Sequence, residues 1–383
     1  ISVIYEGDFT QWLYDLFFTG ARPASYLLIS LVGGFLLMLA FGCNVYLAFL
    51  GAIAISFCSY NMQIIQVGHN SKMVAIAFMP WVLGAVVYAY RKCAFWGALL
   101  FAFALSFQIK ANHPQITYYF LIVALFLWLS ELWFAYREKT LKAFGRTTAL
   151  LAVAAVVALG SNFSPLWYTF KHQKYTTRGV SEVVSEEEAR QDKIAYNTAW
   201  SYGKAESFNM LVPNYMGSSS SDVDERVEEF LASDATQEAL VEDAIDDVTA
   251  MYQEYDPAIT REDILYYMNN DPNLRGDVEW MYSNKWSTLS SHVANYWGAQ
   301  PYTAGPTYLG AVVVFLAIVG MVLAPARYRW WLLTVSIFML LLAWGSNLMG
   351  FYEAMYDYLP GYKNFRTVSM ALVILEWSAP LFA

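Results

Sequence analysis

Two short polar segments carry side chains that could bind a phosphate group beside a membrane. The first contains His69 and Lys72, with an amide and a hydroxyl side chain between them. The second contains Asn112 and His113, directly ahead of Pro114. Lysine offers an anion a point charge, and histidine offers a titratable donor. These segments predict a phosphate site at headgroup level, but Lys72 extending to the interface or Asn112 capping the next helix would explain them equally well.

Later polar side chains extend this prediction. Arg178 and Glu182 either form an ion pair or contact a phosphate or a sugar hydroxyl. Trp200 and Lys204 follow in a segment rich in aromatic residues. These aromatic residues are typical of the belt at a membrane interface, and they could also stack on a sugar ring.

The composition indicates which elements must position these residues. Hydrophobic residues make up 57% of the 383 residues and charged residues only 14%, whereas soluble proteins average about 25% charged. A membrane helix needs roughly 20 apolar residues. We predict an all-α polytopic membrane protein of about nine transmembrane helices, near Ser25–Phe41, Val45–Asn61, Met73–Tyr90, Cys93–Ile109, Gln115–Tyr136, Thr147–Phe163, Thr307–Leu323, Arg329–Gly345 and Thr367–Ala383.

The basic residues between these helices predict the orientation in the membrane. Alternate connections carry eight Lys or Arg residues against one acid, Glu138, so they should be cytoplasmic. The opposite, periplasmic side then receives the N-terminal segment 1–24, the long segment 164–306 and the shorter connections that hold the polar side chains. The membrane domain comprises residues 25–163 and 307–383. This pattern predicts a multi-pass protein of the bacterial inner membrane with its chemistry on the outer face.

Residues 221–280 form an acidic insert in the long periplasmic segment. They contain 18 acids and three bases, a net charge of −15, which excludes nucleic acid as a partner. Thr260 followed by Asp263 predicts a helix capping box. The insert is either a solvated helical module or a docking surface for a protein partner or cations. The chain shows no zinc-ligand spacing, no disulfide framework and no nucleotide-binding fingerprint.

Short motifs follow one another in order along nearly the whole chain: Arg22-Pro23-Ala24, Gly68-His69 with Lys72, Met79-Pro80-Trp81, Asn112-His113-Pro114-Gln115, Arg178-Gly179 with Ser181-Glu182, Trp200 with Tyr202-Gly203, Tyr296-Trp297-Gly298 with Gln300-Pro301, Phe365-Arg366 with Val368-Ser369, and Glu376-Trp377-Ser378. This succession resembles the bacterial YfhO-like membrane proteins, above all versions found in Bacteroidetes. The resemblance implies a glycosyltransferase C fold and transfer of a sugar from a polyprenyl-phosphate donor to a cell-envelope acceptor on the outer face.

The resemblance also implies roles for individual residues. The donor phosphate would be bound by four residues that should converge on one outward-facing cavity: His69, Lys72, His113 and Arg178. Substrate contacts would come from Asn112, Glu182, Trp200, Lys204 and Arg366. No ligand set requires a cofactor, and a divalent metal is left open.

The catalytic base is the point at which the chain departs from the family pattern. The family's presumed base is an Asp within an Asp-x-x-Gln motif, and Asp8 with Gln11 has these letters. However, the Asp8 motif lies closer to Arg22 than the family's catalytic loop should. Asp8 is therefore only a candidate for the base, and Glu6 is the next candidate. Because Ile1 is not a start methionine, we expect an internal fragment whose true base precedes it.

Two other function classes remain open. One is a non-enzymatic lipid-handling or scaffold subunit of an envelope complex. The other is a secondary transporter, a class in which charged residues lie near the middle of the bilayer. Glu376 is the one carboxylate well inside the last apolar stretch, which would fit a transporter. The internal repeat that transporters usually show is not found in the sequence.

Overall fold

The protein is built from helices, and the computed structural model describes residues 22–172, 186–220, 225–293 and 295–383. No strand occurs in these ranges, where a single isolated bridge joins Gly217 and Tyr296. The α-helices described are α1 (Ala24–Phe41), α2 (Val45–Ser56), α3 (Ser59–Gln66), α4 (Asn70–Arg91), α5 (Ala94–Lys110), α6 (Pro114–Arg137), α7 (Leu141–Ser161), α8 (Phe163–His172), α9 (Glu186–Thr198), α10 (Glu225–Leu231), α11 (Asp234–Gln253), α12 (Arg261–Met268), α13 (Pro272–Val293), α14 (Ala311–Leu323), α15 (Ala326–Ala343), α16 (Met349–Tyr358) and α17 (Val373–Phe382). The 3₁₀ helices are Ala205–Met210, Gly345–Leu348, Tyr362–Asn364 and Val368–Leu372.

These helices form two units. The larger, which we call the membrane unit, contains the chain up to Tyr215 together with residues 299–301 and 307–383. The smaller, the acidic unit, contains residues 216–298 and 302–306. The predicted periplasmic segment is therefore divided, because α8 and α9 belong to the membrane unit.

Several helices of the membrane unit can cross a membrane. Five are long and apolar enough, namely α1, α4, α6, α7 and α15, and α2 with α3 makes a sixth candidate that is bent by 43°. The apolar helices α5 and α14 have only 17 and 13 residues, or roughly 26 and 20 Å against a hydrocarbon core of about 30 Å. The described residues are all helical and are compatible with the predicted polytopic membrane protein, whereas the number of nine spans and the glycosyltransferase C fold stay predictions.

The predicted stretches differ from the helices at two places. The stretch predicted over Val45–Asn61 is broken, because Phe57 and Cys58 interrupt it between α2 and α3. The last stretch begins as a 3₁₀ segment and becomes α-helical only at Val373. Apolar composition identified both segments, but it carries no information about such breaks.

Helix α4 lies at the centre of the membrane unit, where 16 of its 22 residues are buried. The indole of Trp81 packs on Gly33 of α1 and donates a hydrogen bond of 2.8 Å to the Ile29 carbonyl oxygen. Further along α4, Ala89 lies against Gly97 of α5. Small residues at these positions let the helices approach closely, as is common in membrane proteins.

Helix α6 shows which connections lie at the same end of the membrane unit. Near its C-terminus, the buried Glu131 carboxylate pairs with Arg91 and with Arg327. At its start, Gln115 donates to the Arg366 carbonyl oxygen, 251 residues further along the chain. The basic connections thus share one end, as the charge pattern predicts, and the outer connections meet at the other.

The acidic unit has a small core of its own. Apolar residues of α11, α12 and α13 form this core: Ala244, Ile245, Val248, Ile264, Leu274 and Val278. The predicted capping box is confirmed, since Thr260 and Asp263 exchange their hydrogen bonds at the start of α12. The acidic side chains pair in part with Arg261 and Lys285. The prediction of a mainly helical insert therefore holds for the described residues.

Candidate functional site

Lys72 has the most unusual surroundings of the predicted site residues. It lies in the first turn of α4, and only 6% of the residue is exposed. Its Nζ is 4.8 Å from the centre of the Tyr60 ring, and no carboxylate of the described residues pairs with it. A helix N-terminus carries partial positive charge of its own. An anion bound beside Lys72 would therefore stabilise its ammonium form.

His69 is the residue that precedes α4, and its side chain does not cap the helix. The residue is exposed. Partial loss of hydration, and to a lesser extent the positive charge of Lys72, lower the pKa of His69 below its usual value. Near neutral pH it is therefore a neutral imidazole that can donate one hydrogen bond to a ligand beside Lys72.

Buried tyrosines adjoin Lys72, and sequence reasoning missed them. We call Tyr60, Tyr119, Tyr352 and Tyr362 the tyrosine cluster; each is at most 6% exposed. The hydroxyl groups of Tyr60 and Tyr362 have no hydrogen-bond partner in the described part of the chain, and the Tyr352 hydroxyl lies beside the Asn197 side chain. The Tyr119 hydroxyl accepts from Gln115 at 3.1 Å.

The cluster is continuous. The rings of Tyr352 and Tyr362 are 5.7 Å apart, Tyr119 is an electrostatic neighbour of both Tyr60 and Tyr362, and Tyr60 lies against Lys72. Hydroxyl groups so buried normally find a partner. An ammonium and two buried hydroxyls without partners suit a ligand rich in oxygen acceptors. In the sequence, the position of these tyrosines at the ends of apolar runs was the signal that could have indicated the tyrosine cluster.

His113 and Asn112 have local roles at the start of α6. Nδ1 of His113 accepts a hydrogen bond of 3.4 Å from the Ile116 backbone N–H, so His113 caps the helix. Asn112 adopts a left-handed backbone with φ of 56°. The interpretation of Asn112 as the cap is therefore wrong, because the chain enters α6 one residue later, at His113 with Pro114 in the first turn.

The other predicted contacts are distributed over the membrane unit. Arg366 lies over the Tyr196 ring at 5.6 Å and donates to its hydroxyl. Lys204 is exposed, with Nζ 6.0 Å from the centre of the Trp344 ring. The Trp200 carbonyl oxygen accepts from the Ser369 N–H at 3.4 Å. Of these three residues, Arg366 is the one that contacts an aromatic residue of α9, Tyr196.

Four predicted residues lie outside the described residues: Glu6, Asp8, Arg178 and Glu182. In the described ranges, no hydrogen bond, ion pair or ring contact joins His69 to His113. Convergence of the phosphate-binding set therefore stays a prediction. Of its four members, the structure places His69 and Lys72 close to each other. No group of three His, Cys, Asp or Glu side chains in these ranges could hold a metal ion.

Glu206 is a buried carboxylate that sequence reasoning did not single out. Its Oε2 accepts from the Gly203 N–H at 2.9 Å, and its Oε1 accepts from the Gln300 side chain at 3.0 Å. These bonds join the motif that ends at Gly203 to the motif that contains Gln300, and both motifs belong to the series that resembles the YfhO-like proteins. The two residues therefore have a structural role.

The comparisons with known proteins do not identify the chain. No protein family, no curated protein and no solved structure matches it. The resemblance to the YfhO-like proteins therefore stays a prediction, and the site has to be argued from its own geometry.

Proposed function

We propose that this protein is an envelope glycosyltransferase of the glycosyltransferase C type in the bacterial inner membrane. It would transfer a sugar from a polyprenyl-phosphate donor to a cell-envelope glycan or glycolipid on the periplasmic face. The support is the buried, unpaired Lys72 at the helix end that the charge pattern places outside. The resemblance of the ordered motifs adds the reaction type.

Lys72 carries the proposal for an energetic reason. A buried charge without a counter-charge costs several kcal/mol, and proteins normally compensate it with a pair or a ligand. The first-turn N–H groups of α4 point the same way, because the N-terminus of a helix favours a phosphate. Lys72, these N–H groups and the Tyr60 hydroxyl together form a set of donors suited to a lipid phosphate.

The reaction would be an inverting displacement. The acceptor hydroxyl attacks the anomeric carbon while the bond from that carbon to the phosphate oxygen breaks, and a carboxylate takes the hydroxyl proton. Lys72 and the neighbouring donors stabilise the negative charge that grows on the departing polyprenyl phosphate. Asp8 remains the candidate base, and His113 and Arg178 the further phosphate ligands.

Binding of a long-chain polyprenyl phosphate to the protein in lipid nanodiscs tests the proposal. Replacing Lys72 with Met removes a charge-assisted contact, so the affinity should fall roughly tenfold to a hundredfold. Lys92→Met is the matched control, because Lys92 is exposed at the other end of the same helix and should leave affinity unchanged. Equal affinities of wild type and Lys72→Met would remove the basis of the proposal.

Transfer of a labelled sugar from a polyprenyl-phosphate donor separates the enzyme from the alternatives. Donor binding that depends on Lys72 but never leads to transfer would favour the lipid-handling subunit. One observation favours a secondary transporter as the second candidate: the bent α2–α3 pair lies beside a buried carboxylate, Glu376, on another interrupted segment. Broken helices of this kind bind substrates and ions in transporters.

A further inference from the structure

The break between α2 and α3 holds a buried carboxyl group that the proposed reaction does not use. Glu376 of α17 is 1% exposed. Its Oε1 accepts a hydrogen bond of 2.7 Å from the Ser59 hydroxyl, at the first residue of α3. The Ser59 oxygen in turn accepts from the Tyr308 backbone N–H at 2.8 Å. The carboxyl group is thus fixed at the point where the two helices bend.

Glu376 has no counter-charge among the described residues. Its Oε2 is buried and forms no hydrogen bond of standard geometry, although the Cys58 thiol and the Tyr60 backbone N–H lie beside the carboxyl group. No Lys, Arg or His side chain forms an ion pair with it. The groups of α3 and its N-cap that face it are the Cys58 thiol and Tyr60. An isolated carboxylate is costly in such surroundings, so the group must be neutralised.

The helices packed against α17 supply no charge to this end of it. The described residues of α2 and α14 include no charged side chain. In α15 the charged residues Arg327 and Arg329 lie in the first turn, where Arg327 pairs with Glu131 at the far end of the unit. Helix α4 also faces α17, and its Lys72 lies over the Tyr60 ring but forms no ion pair with Glu376. A bound species can therefore supply the neutralising charge.

A second buried oxygen without a donor lies two residues beyond Ser59. The Asn61 side-chain N–H groups donate to the carbonyl oxygens of Ile55 and Ser56, both at 3.1 Å. This leaves Oδ1 of Asn61 buried without a partner. Asn61 lines a cavity of about 10 Å³, together with Ser30, Cys58 and Trp377. Such a cavity has roughly the space of one water molecule.

We propose that Glu376, with the oxygen atom of Ser59, forms a binding site for one monovalent cation, either a proton or Na⁺. One positive charge neutralises the single carboxylate, and hydroxyl and carboxylate oxygens are hard ligands that suit either species. The chain neighbours Cys58 and Trp377 line the small cavity, which has no room for a large organic cation. This site is independent of sugar transfer and holds whether or not the proposed reaction is correct.

A hydrophobic carbodiimide is the probe, because it reacts with a carboxylic acid in an apolar site only while the acid carries its proton. The carboxyl proton moves to a carbodiimide nitrogen as the carboxylate oxygen attacks the central carbon, and the adduct is located by peptide mass spectrometry. Glu376 should be modified and Glu131 should not. Glu131 is a matched internal control, because it is equally buried on a membrane helix but paired with two arginines.

The two cations are separated by pH and salt. A proton site predicts that modification of Glu376 falls about tenfold per pH unit above its midpoint and responds equally to Na⁺ and K⁺. A Na⁺ site predicts that Na⁺, but not K⁺, protects Glu376 at constant pH. Glu376→Gln should abolish the adduct, and Ser59→Ala should weaken Na⁺ protection while leaving proton-dependent modification in place.

Three results would overturn the proposal. They are modification of Glu131 to the same extent as Glu376, modification of Glu376 that ignores both pH and Na⁺, and no modification of Glu376 at any pH. The last result is checked by thermal unfolding. If no cation binds there, the pH and Na⁺ dependence of unfolding should be the same in wild type and Glu376→Gln. Loss of polyprenyl-phosphate binding in Lys72→Met does not affect this test, so the two proposals can fail separately.

Discussion

Single residues of this protein differ sharply in how their buried charges are compensated. Glu131 is 3% exposed and contacts Arg91 at 3.1 Å as well as Arg327. Lys72 and Glu376 are buried to a similar degree without such partners. The charge of Glu131 is thus compensated within the fold, whereas Lys72 and Glu376 are the residues on which the two proposed binding sites rest.

Replacing Glu131 with Ala should strongly destabilise the membrane unit. It leaves the partly buried Arg91 without a carboxylate and Arg327 with only the half-exposed Glu138, and breaking a buried pair in this way typically costs about 3–5 kcal/mol. Thermal or denaturant unfolding in detergent measures the loss. The control is Glu138→Ala, since Glu138 is half exposed and pairs only with Arg327, so that its loss should cost at most about 1 kcal/mol. A Glu131 variant as stable as the Glu138 variant would contradict this account.

The stability of the ligand-free protein should depend on His69 in mildly acidic solution. Because the pKa of His69 is lowered in the folded state, the unfolded state takes up the proton first as the pH falls. The contribution of His69 is complete above its ordinary value of about 6.5 and is lost below it. Between pH 7 and about 5 the wild type should lose more stability than His69→Gln. If wild type and His69→Gln lost the same free energy of unfolding over this pH range, the surroundings of His69 would not disfavour its protonated form.

Individual elements depend on where small residues allow close approach. A side chain added at Gly97 would place its Cβ 2.4 Å from the Cα of Ala89, whereas nothing lies within 4 Å of the same atom at Gly145. Both glycines lie inside helices of the membrane unit, α5 and α7. Helix propensity is the same for both, so only their packing differs.

Gly97→Ala and Gly145→Ala should therefore change stability in opposite directions. Crowding α4 against α5 should cost about 1–3 kcal/mol. In α7 the loss of glycine should be neutral or stabilise by up to about 1 kcal/mol. Unfolding of the two variants side by side measures the difference. Equal effects would mean that the close contact of α4 with α5 is not formed.

At the scale of the molecule, the ends of the membrane unit carry different chemistry. One end contains the Arg91, Glu131 and Arg327 cluster, and the other contains Lys72 and the tyrosine cluster. The ion pairs of Glu131 join the connections that carry most Lys and Arg residues, which the charge pattern places on one side of the membrane. The ion pairs alone do not show whether that side faces the cytoplasm.

Cysteine labelling should determine that orientation. With Cys43, Cys58 and Cys93 replaced, Asn112→Cys should react with a membrane-impermeant thiol reagent added outside intact cells. Lys139→Cys should react only after permeabilisation, because it lies in a connection rich in Lys and Arg. Both residues are exposed in the membrane unit, so a failure to react would not come from burial. Equal labelling of both positions from outside would contradict the predicted topology and with it the placement of the site.

The sequence by itself determined the class of protein, the positions of most membrane helices and the pairing of connections by side. Runs of apolar residues and the distribution of Lys and Arg are local properties, and the bilayer imposes them segment by segment. The capping box at Thr260 is local in the same sense. Pro114 in the first turn of α6 followed from its fixed backbone dihedral and missing N–H.

Only the tertiary structure decided which polar residues lose their water and what replaces it. Lys72 and Lys92 end the same helix, yet one is buried and the other exposed. Glu376 meets Ser59 across 317 residues of sequence, and Tyr60 was one tyrosine among 28. Burial and pairing of this kind depend on which helices pack together and where they break, and no local pattern of residues encodes either.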